Sequence, residues 1–178
     1  MKLESENIFL RALEKDDCTK LMIWENTPEF WRISDTEAPY SMFEILSYIE
    51  RQENFRNSGQ LRLIICLKND QSPIGCIDLY DGNFKHRRAA VGILIAEDKY
   101  RGLGYAQESL NLLIDYATKI LDLHQLYCYI NKNNISSFGL FINAGFEQSG
   151  VLKQWRIFNK SWDDVIVFQK ILSTPQKD

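Results

Sequence analysis

The chain has no surplus of basic charge. Its 21 Lys and Arg are outnumbered by 24 Asp and Glu, for a net charge of −3. That leaves out the broad basic surface that nucleic-acid binding uses. No apolar run reaches the roughly 20 residues that a membrane span needs, and the opening MKLESENIFL is too polar for a secretory signal, so the cytoplasm is the expected compartment. Cysteine is sparse and scattered: Cys18, Cys66, Cys76 and Cys128 form no close-spaced pair. Three of them sit in apolar runs and read as reduced core residues rather than a disulfide frame. His86 and His124 are isolated, so no metal site is expected. Repeats, low-complexity tracts and linkers are also missing. What remains is an ordinary globular composition, 45% apolar and 25% charged over 178 residues. It fits one domain over residues 1–172, with a loose tail at 173–178.

Hydrophobic patterning divides the chain into short elements. Ile8 to Leu13 reads as a first strand, followed by a helix capped at Asp16 or Asp17 and running to about Glu25. Ser41-Met42-Phe43-Glu44 has capping-box spacing, with Ile45, Ile49 and Phe55 continuing roughly at helical spacing. Leu61–Leu67, Ile74–Tyr80 and Ala89–Ala96 read as strands, the first two joined by a polar turn. Ala106 to Leu121 carries Ala106, Leu110, Leu113, Ile114, Ala117 and Leu121 on one helical face. Leu126–Ile130 is a strand, and Asn134 to Ala144 a short helix stopped by Gly145. Val151–Phe158 and Trp162–Leu172 form a closing hairpin. A strand-helix-strand unit beside a meander implies an α+β fold with a mixed sheet.

The most informative stretch is Arg101-Gly102-Leu103-Gly104-Tyr105-Ala106, set between an apolar strand and an amphipathic helix. Backbone N–H groups at such a junction are unpaired, and the positive end of the helix dipole lies there, which suits phosphate oxygens. Gly102 and Gly104 let the main chain approach an anion closely. The pattern is neither a nucleotide-hydrolysing phosphate loop nor a three-glycine dinucleotide fingerprint. By itself it is also compatible with a plain strand-to-helix turn.

With its surroundings, the stretch from His86 to Phe146 resembles the acetyl-coenzyme A binding core of the GNAT acyltransferase superfamily. Arg101, Gly104 and Ala106 occupy the defining places of its Arg/Gln-x-x-Gly-x-Gly/Ala signature. Asn134, Ser137, Leu140 and Asn143-Ala144-Gly145-Phe146 match its second signature. Ile8-Phe9-Leu10-Arg11-Ala12-Leu13 with Asp16-Asp17 is similar to the opening of the branch holding ribosomal-protein and spermidine acetyltransferases. His86-Arg87-Arg88-Ala89 and the spacing to Trp162 look closest to spermidine/diamine N-acetyltransferases. The resemblance implies a mixed, mostly antiparallel sheet of six to seven strands, flanked by about four helices and splayed in a V at the acetyl-CoA site. It implies acetyl-CoA as cosubstrate, held by Arg101, Gly102, Leu103, Gly104, Tyr105 and Ala106, with Asn134 and Phe141 on the second motif. A backbone N–H among Ile93, Leu94 and Ile95 would polarise the thioester.

Two positions depart from the family pattern. Phe141 stands where a tyrosine often protonates the leaving thiolate, and Ala90 or a neighbour where a glutamate often acts as base. A thioester is already activated, so positioning and oxyanion stabilisation can carry much of the reaction. The amine, with an ordinary pKa near ~10.4, must still lose a proton. Glu37, Asp35, Asp78 and Asp81 are candidate bases, Glu37 first, and Tyr80, Tyr127 and Tyr129 are candidate acids. The commoner roles of such residues are a solvated charge for each carboxylate and half-buried packing for each tyrosine. The expected function is N-acetylation of a primary amine, such as a polyamine. Protein N-terminal acetylation of the ribosomal-protein type and a catalytically weak acyl-CoA sensor are alternatives. Small-molecule partners are expected, a homo-oligomer is left open, and nucleic acid and membrane are not expected.

Overall fold

The computed structural model describes residues 3–34, 36–158 and 160–172. The expectations placed on Asp35 and on the tail 173–178 fall outside the described residues. The chain groups into two compact units, one taking the residues up to Arg11 and from Asn54 onward, the other Ala12–Glu53.

The larger unit is built on one seven-stranded sheet. Its strands are β1 (Ile8–Ala12), β2 (Leu61–Leu67), β3 (Pro73–Asn83), β4 (Arg88–Ile95), β5 (Gln125–Asn131), β6 (Glu147–Phe158) and β7 (Ser161–Ile171). They lie in the order β1-β2-β3-β4-β5-β7-β6. The pairs β2–β3, β3–β4, β5–β7 and β6–β7 are antiparallel, and β4–β5 is parallel. The parallel pair needs a crossover, and α5 (Tyr105–Lys119) supplies it. Leu110, Leu113 and Ala117 of α5 are buried in one cluster with Ala89, Val91, Leu126, Cys128 and Ile130. That cluster occupies one face of the sheet, as period-2 alternation requires. Burial pushes the Cys128 thiol up to about 12, so it stays protonated. All four cysteines are reduced.

The other unit holds α1 (Cys18–Glu25), α2 (Pro28–Ser34) and α3 (Met42–Glu50). Leu21, Trp24, Ile45 and Ile49 are its buried apolar residues on α1 and α3. The expected capping box forms: Ser41 Oγ accepts from the Glu44 N–H (3.2 Å), and Glu44 accepts from the Ser41 N–H (2.7 Å). These hydrogen bonds hold the Glu44 carboxyl below its ordinary pKa. Asp17 does not cap α1. Its carboxylate accepts from the Glu14 N–H at 2.9 Å and closes a 3-10 turn, Lys15–Asp17. Phe55 does not continue α3. The helix ends at Glu50, and Phe55 opens a separate short helix, α4 (Phe55–Ser58), capped by Asn54. Helix α2 lies between α1 and α3, in a stretch to which the hydrophobic patterning assigns no element. Proline at its first position was the available signal. The last helix, α6 (Ile135–Asn143), follows β5.

Candidate functional site

The sheet opens between β4 and β5. These strands pair only at Arg88–Gln125, Ala89–Leu126 and Ala90–Tyr127, although β4 stays paired with β3 through Ile95. Alternation fixes what the open edge presents. The Arg87 carbonyl accepts from His124 and Gln125 on the β5 side, whereas the Ala96 N–H donates to Ile74 on the β3 side. Odd-numbered residues of β4 therefore direct their N–H groups toward β5, and even-numbered residues toward β3. Ile93 and Ile95 lie past the last paired residue, so their N–H groups point into the gap. Leu94 pairs with Cys76 and turns its own to β3.

The glycine loop closes one end of this gap. Gly102 and Gly104 take φ of +74° and +87°, and beyond each glycine and its chain neighbours no described atom lies within 4 Å of where a Cβ would stand. Glycine is required here by backbone conformation, and the space over it is open. The N–H groups of Tyr105, Ala106 and Gln107 open α5 and have no intrahelical acceptor. Arg101 turns its guanidinium to the end of β4. Its Nε donates to the Ile95 carbonyl at 2.9 Å, and its Nη2 to the Ala96 carbonyl at 3.3 Å. It also forms an ion pair with Asp98. The guanidinium thus takes up an acceptor that the splay withdraws from β5. Glu108, in the first turn of α5, accepts from Ser5 Oγ and from the backbone and side-chain N–H groups of Asn7. Partial burial pulls the Glu108 pKa up, but these hydrogen bonds outweigh it and leave the carboxyl below its ordinary value.

On the far side of β5, Asn134 is the N-cap of α6. Its Oδ1 accepts from the Ser137 N–H at 3.2 Å and from Ser136 Oγ at 3.0 Å. Phe141 lies in the core, 4% exposed, with its ring edge-on to Phe146 at 5.0 Å.

The sheet face opposite α5 carries a polar and aromatic row. Asp78 is held by Arg62 through two hydrogen bonds, 2.9 Å from Nε and 2.8 Å from Nη2, which commits that carboxylate to a structural pair. Tyr80 lies across from Ala90, and Ala90 across from Tyr127. Tyr127 meets Tyr129 edge-on at 5.6 Å. Burial raises the pKa of Tyr80 and of Tyr127, so both stay protonated at neutral pH. Asp81 is exposed at a bulge of β3, with φ of +50°. Glu37 is exposed in the segment 36–40 of the smaller unit. Among the described residues, no group of three or more His, Cys, Asp or Glu is placed to hold a metal ion.

A splayed parallel pair, a glycine turn at the crossover helix and an Asn-capped helix behind it now stand together. Residues 7–147 match the profile of the Acetyltransferase (GNAT) domain family. The chain belongs to the GNAT acetyltransferase family. It is an N-acetyltransferase. It is 28% identical over 164 residues to spermidine N(1)-acetyltransferase of Vibrio cholerae, covering 90% of this chain and 91% of that protein. It is 27% identical over 162 residues to the Escherichia coli K12 enzyme of the same name, covering 91% and 84%. Among solved structures, Vibrio cholerae spermidine N-acetyltransferase in complex with CoA and spermine superposes with a TM-score of 0.84. That alignment is 24% identical and covers 93% of this chain and 95% of the other. The fold expectation holds: a mixed sheet of seven strands flanked by helices. No helix is long and apolar enough to cross a membrane among the described residues.

Proposed function

We propose that this N-acetyltransferase moves an acetyl group from acetyl-CoA to a primary amine of a polyamine such as spermidine or spermine. The observation that carries the reading is the gap between β4 and β5, which opens where the glycine loop meets α5. The polyamine assignment rests on the two relatives named as spermidine acetyltransferases.

In this reading the N–H groups of Gly102–Ala106 take the pyrophosphate oxygens, and Gly102 and Gly104 keep the approach open. One of the N–H groups that point into the gap, that of Ile93 or Ile95, donates to the thioester oxygen and stabilises the charge that develops when the amine attacks the carbonyl carbon. Arg101 holds the strand end that presents them, through the Ile95 carbonyl. Asn134 sets the turn after β5 by capping α6. Glu37 is the proposed acceptor of the amine proton, through water, and Tyr129 the proposed donor to the departing thiolate. Phe141 provides a wall, since a phenyl ring has no proton to give. Assembly into a homo-oligomer and a cytoplasmic location belong to the same proposal. A Vibrio cholerae spermidine N-acetyltransferase of 26% identity and TM-score 0.77 is described as dodecameric.

Phe141 and Ala90 favour one second reading, an acyl-CoA sensor that turns over weakly. Thiol release from acetyl-CoA, measured with spermidine, spermine and an N-terminal peptide as acceptors, separates the readings. Saturable turnover with the polyamines supports the proposal. Tight coenzyme A binding without acetylation of any amine supports the sensor and overturns it.

A further inference from the structure

The outer row of β4 runs Ala90, Gly92, Leu94, on the face turned away from α5. Its neighbours on β3 are Tyr80 across from Ala90 and Asp78 across from Gly92. On β5, Tyr127 lies across from Ala90, and Tyr129 follows where the strands have parted. Ala90 is fully covered, at 0% exposure, whereas Gly92 retains exposure. The tyrosines close over the row at Ala90, and the row opens one step later, beside the splay.

A Cβ built on Gly92 points into that opening. Its nearest neighbours would be Tyr80 Cε1 at 3.6 Å, Asp78 Cβ at 3.9 Å and Asp78 Oδ2 at 4.0 Å. All are ordinary van der Waals distances, and the backbone at Gly92 is not in the left-handed region. Neither backbone strain nor close packing explains a glycine here, although a strand interior disfavours one. The missing side chain leaves a notch. The next residue, Ile93, aims its N–H into the gap, so the notch adjoins the proposed oxyanion position.

We infer that Gly92 is a specificity-determining residue, and that its notch, walled by Tyr80, admits the alkyl chain of the acceptor amine to the thioester. This rests on the proposed acetyl transfer to an amine. The opposite face is filled by the α5 core, so an acceptor enters from the Gly92 side. The groups bordering the notch suit an alkyl ammonium. Tyr80 borders it with an aromatic ring, Cε1 being the nearest atom. Asp78 is neutralised by Arg62, so it does not trap the amine as a salt. Asp81 bears on both Tyr80 and Tyr127 as a negative charge, opposed by Arg156 at Tyr80 and by Arg88 at Tyr127.

The test is steady-state kinetics of Gly92→Ala and Gly92→Val with acetyl-CoA and spermidine, beside coenzyme A titration and thermal melting. Gly92→Ala adds only ordinary contacts and is expected to fold and bind coenzyme A as the natural protein does. Its KM for spermidine should rise several-fold, and that of Gly92→Val more than tenfold, with the KM for acetyl-CoA within twofold. An unchanged spermidine KM in a folded Gly92→Val protein overturns the assignment while leaving the acetyltransferase reading intact. Equal losses in spermidine and coenzyme A binding also overturn it, since they mean general distortion of β4. Natural protein that acetylates no primary amine removes the functional reading, and the notch with it.

Discussion

Substitution of Gly104 separates the backbone's contribution from the ligand's. Its φ of +87° and ψ of −9° are left-handed, and beyond its chain neighbours no described residue lies within 4 Å of the missing Cβ. Gly104→Ala therefore costs conformational energy without a clash, about 1–2 kcal/mol. For a chain of this length that lowers the melting midpoint by roughly 2–8 °C. Gly104→Asp adds a like charge. Unit charges ~5 Å apart at an effective dielectric of ~20 repel by about 3 kcal/mol, which is roughly a hundredfold in affinity. Coenzyme A titration by calorimetry, paired with thermal melts, measures both parts. Both should melt below the natural protein, Asp no lower than Ala because the α5 dipole favours its charge, and Asp should bind far more weakly. Equal coenzyme A affinity in a folded Gly104→Asp protein would place the pyrophosphate elsewhere and refute the reasoning.

Asn134→Ala removes the α6 cap and should cost about 0.5–2 kcal/mol by denaturant unfolding, with a larger effect on acetyl-CoA turnover than the stability loss explains. Phe141→Tyr introduces the phenol that often stands at this place in the family. Because the ring is buried against Phe146, the expected outcome is a stability loss of about 1–3 kcal/mol with no gain in rate, read from melting and thiol release. Glu108, whose folded pKa is lowered, contributes stability that is present above the ordinary glutamate value of about 4.3 and is lost as pH falls through the lower folded value. Melting across pH 2–6 should show a shallower acid limb in Glu108→Gln; matching profiles would exclude Glu108 as the group responsible.

Much of the larger unit was legible because its signals are local. The β2 bounds were read as they stand, Leu61–Leu67, since an apolar run ends there in a polar turn. The stripe of Leu110, Leu113 and Ala117 marked α5, and Gly102 and Gly104 marked the turn before it, because left-handed φ is affordable to few other residues. The first sixty residues were less legible. Capping boxes are local, so Ser41–Glu44 is legible; α2 spans only seven residues, too few for a repeating apolar stripe to mark it.

Tertiary structure decided what depends on partners distant in sequence. A carboxylate at Asp78 looks like a base until Arg62, sixteen residues away, closes on it. Arg101 reads in sequence as one member of the signature; the fold shows its guanidinium on the Ile95 carbonyl, six residues back. Ala90 marks only the absence of a glutamate in sequence; in the sheet it lies between Tyr80 and Tyr127, beside the Gly92 notch. The sequence by itself determined the seven strands, the glycine loop and the family. Pairing of β4 with β5 over three residues and no further created the gap, and a strand's neighbours are not written in its own periodicity.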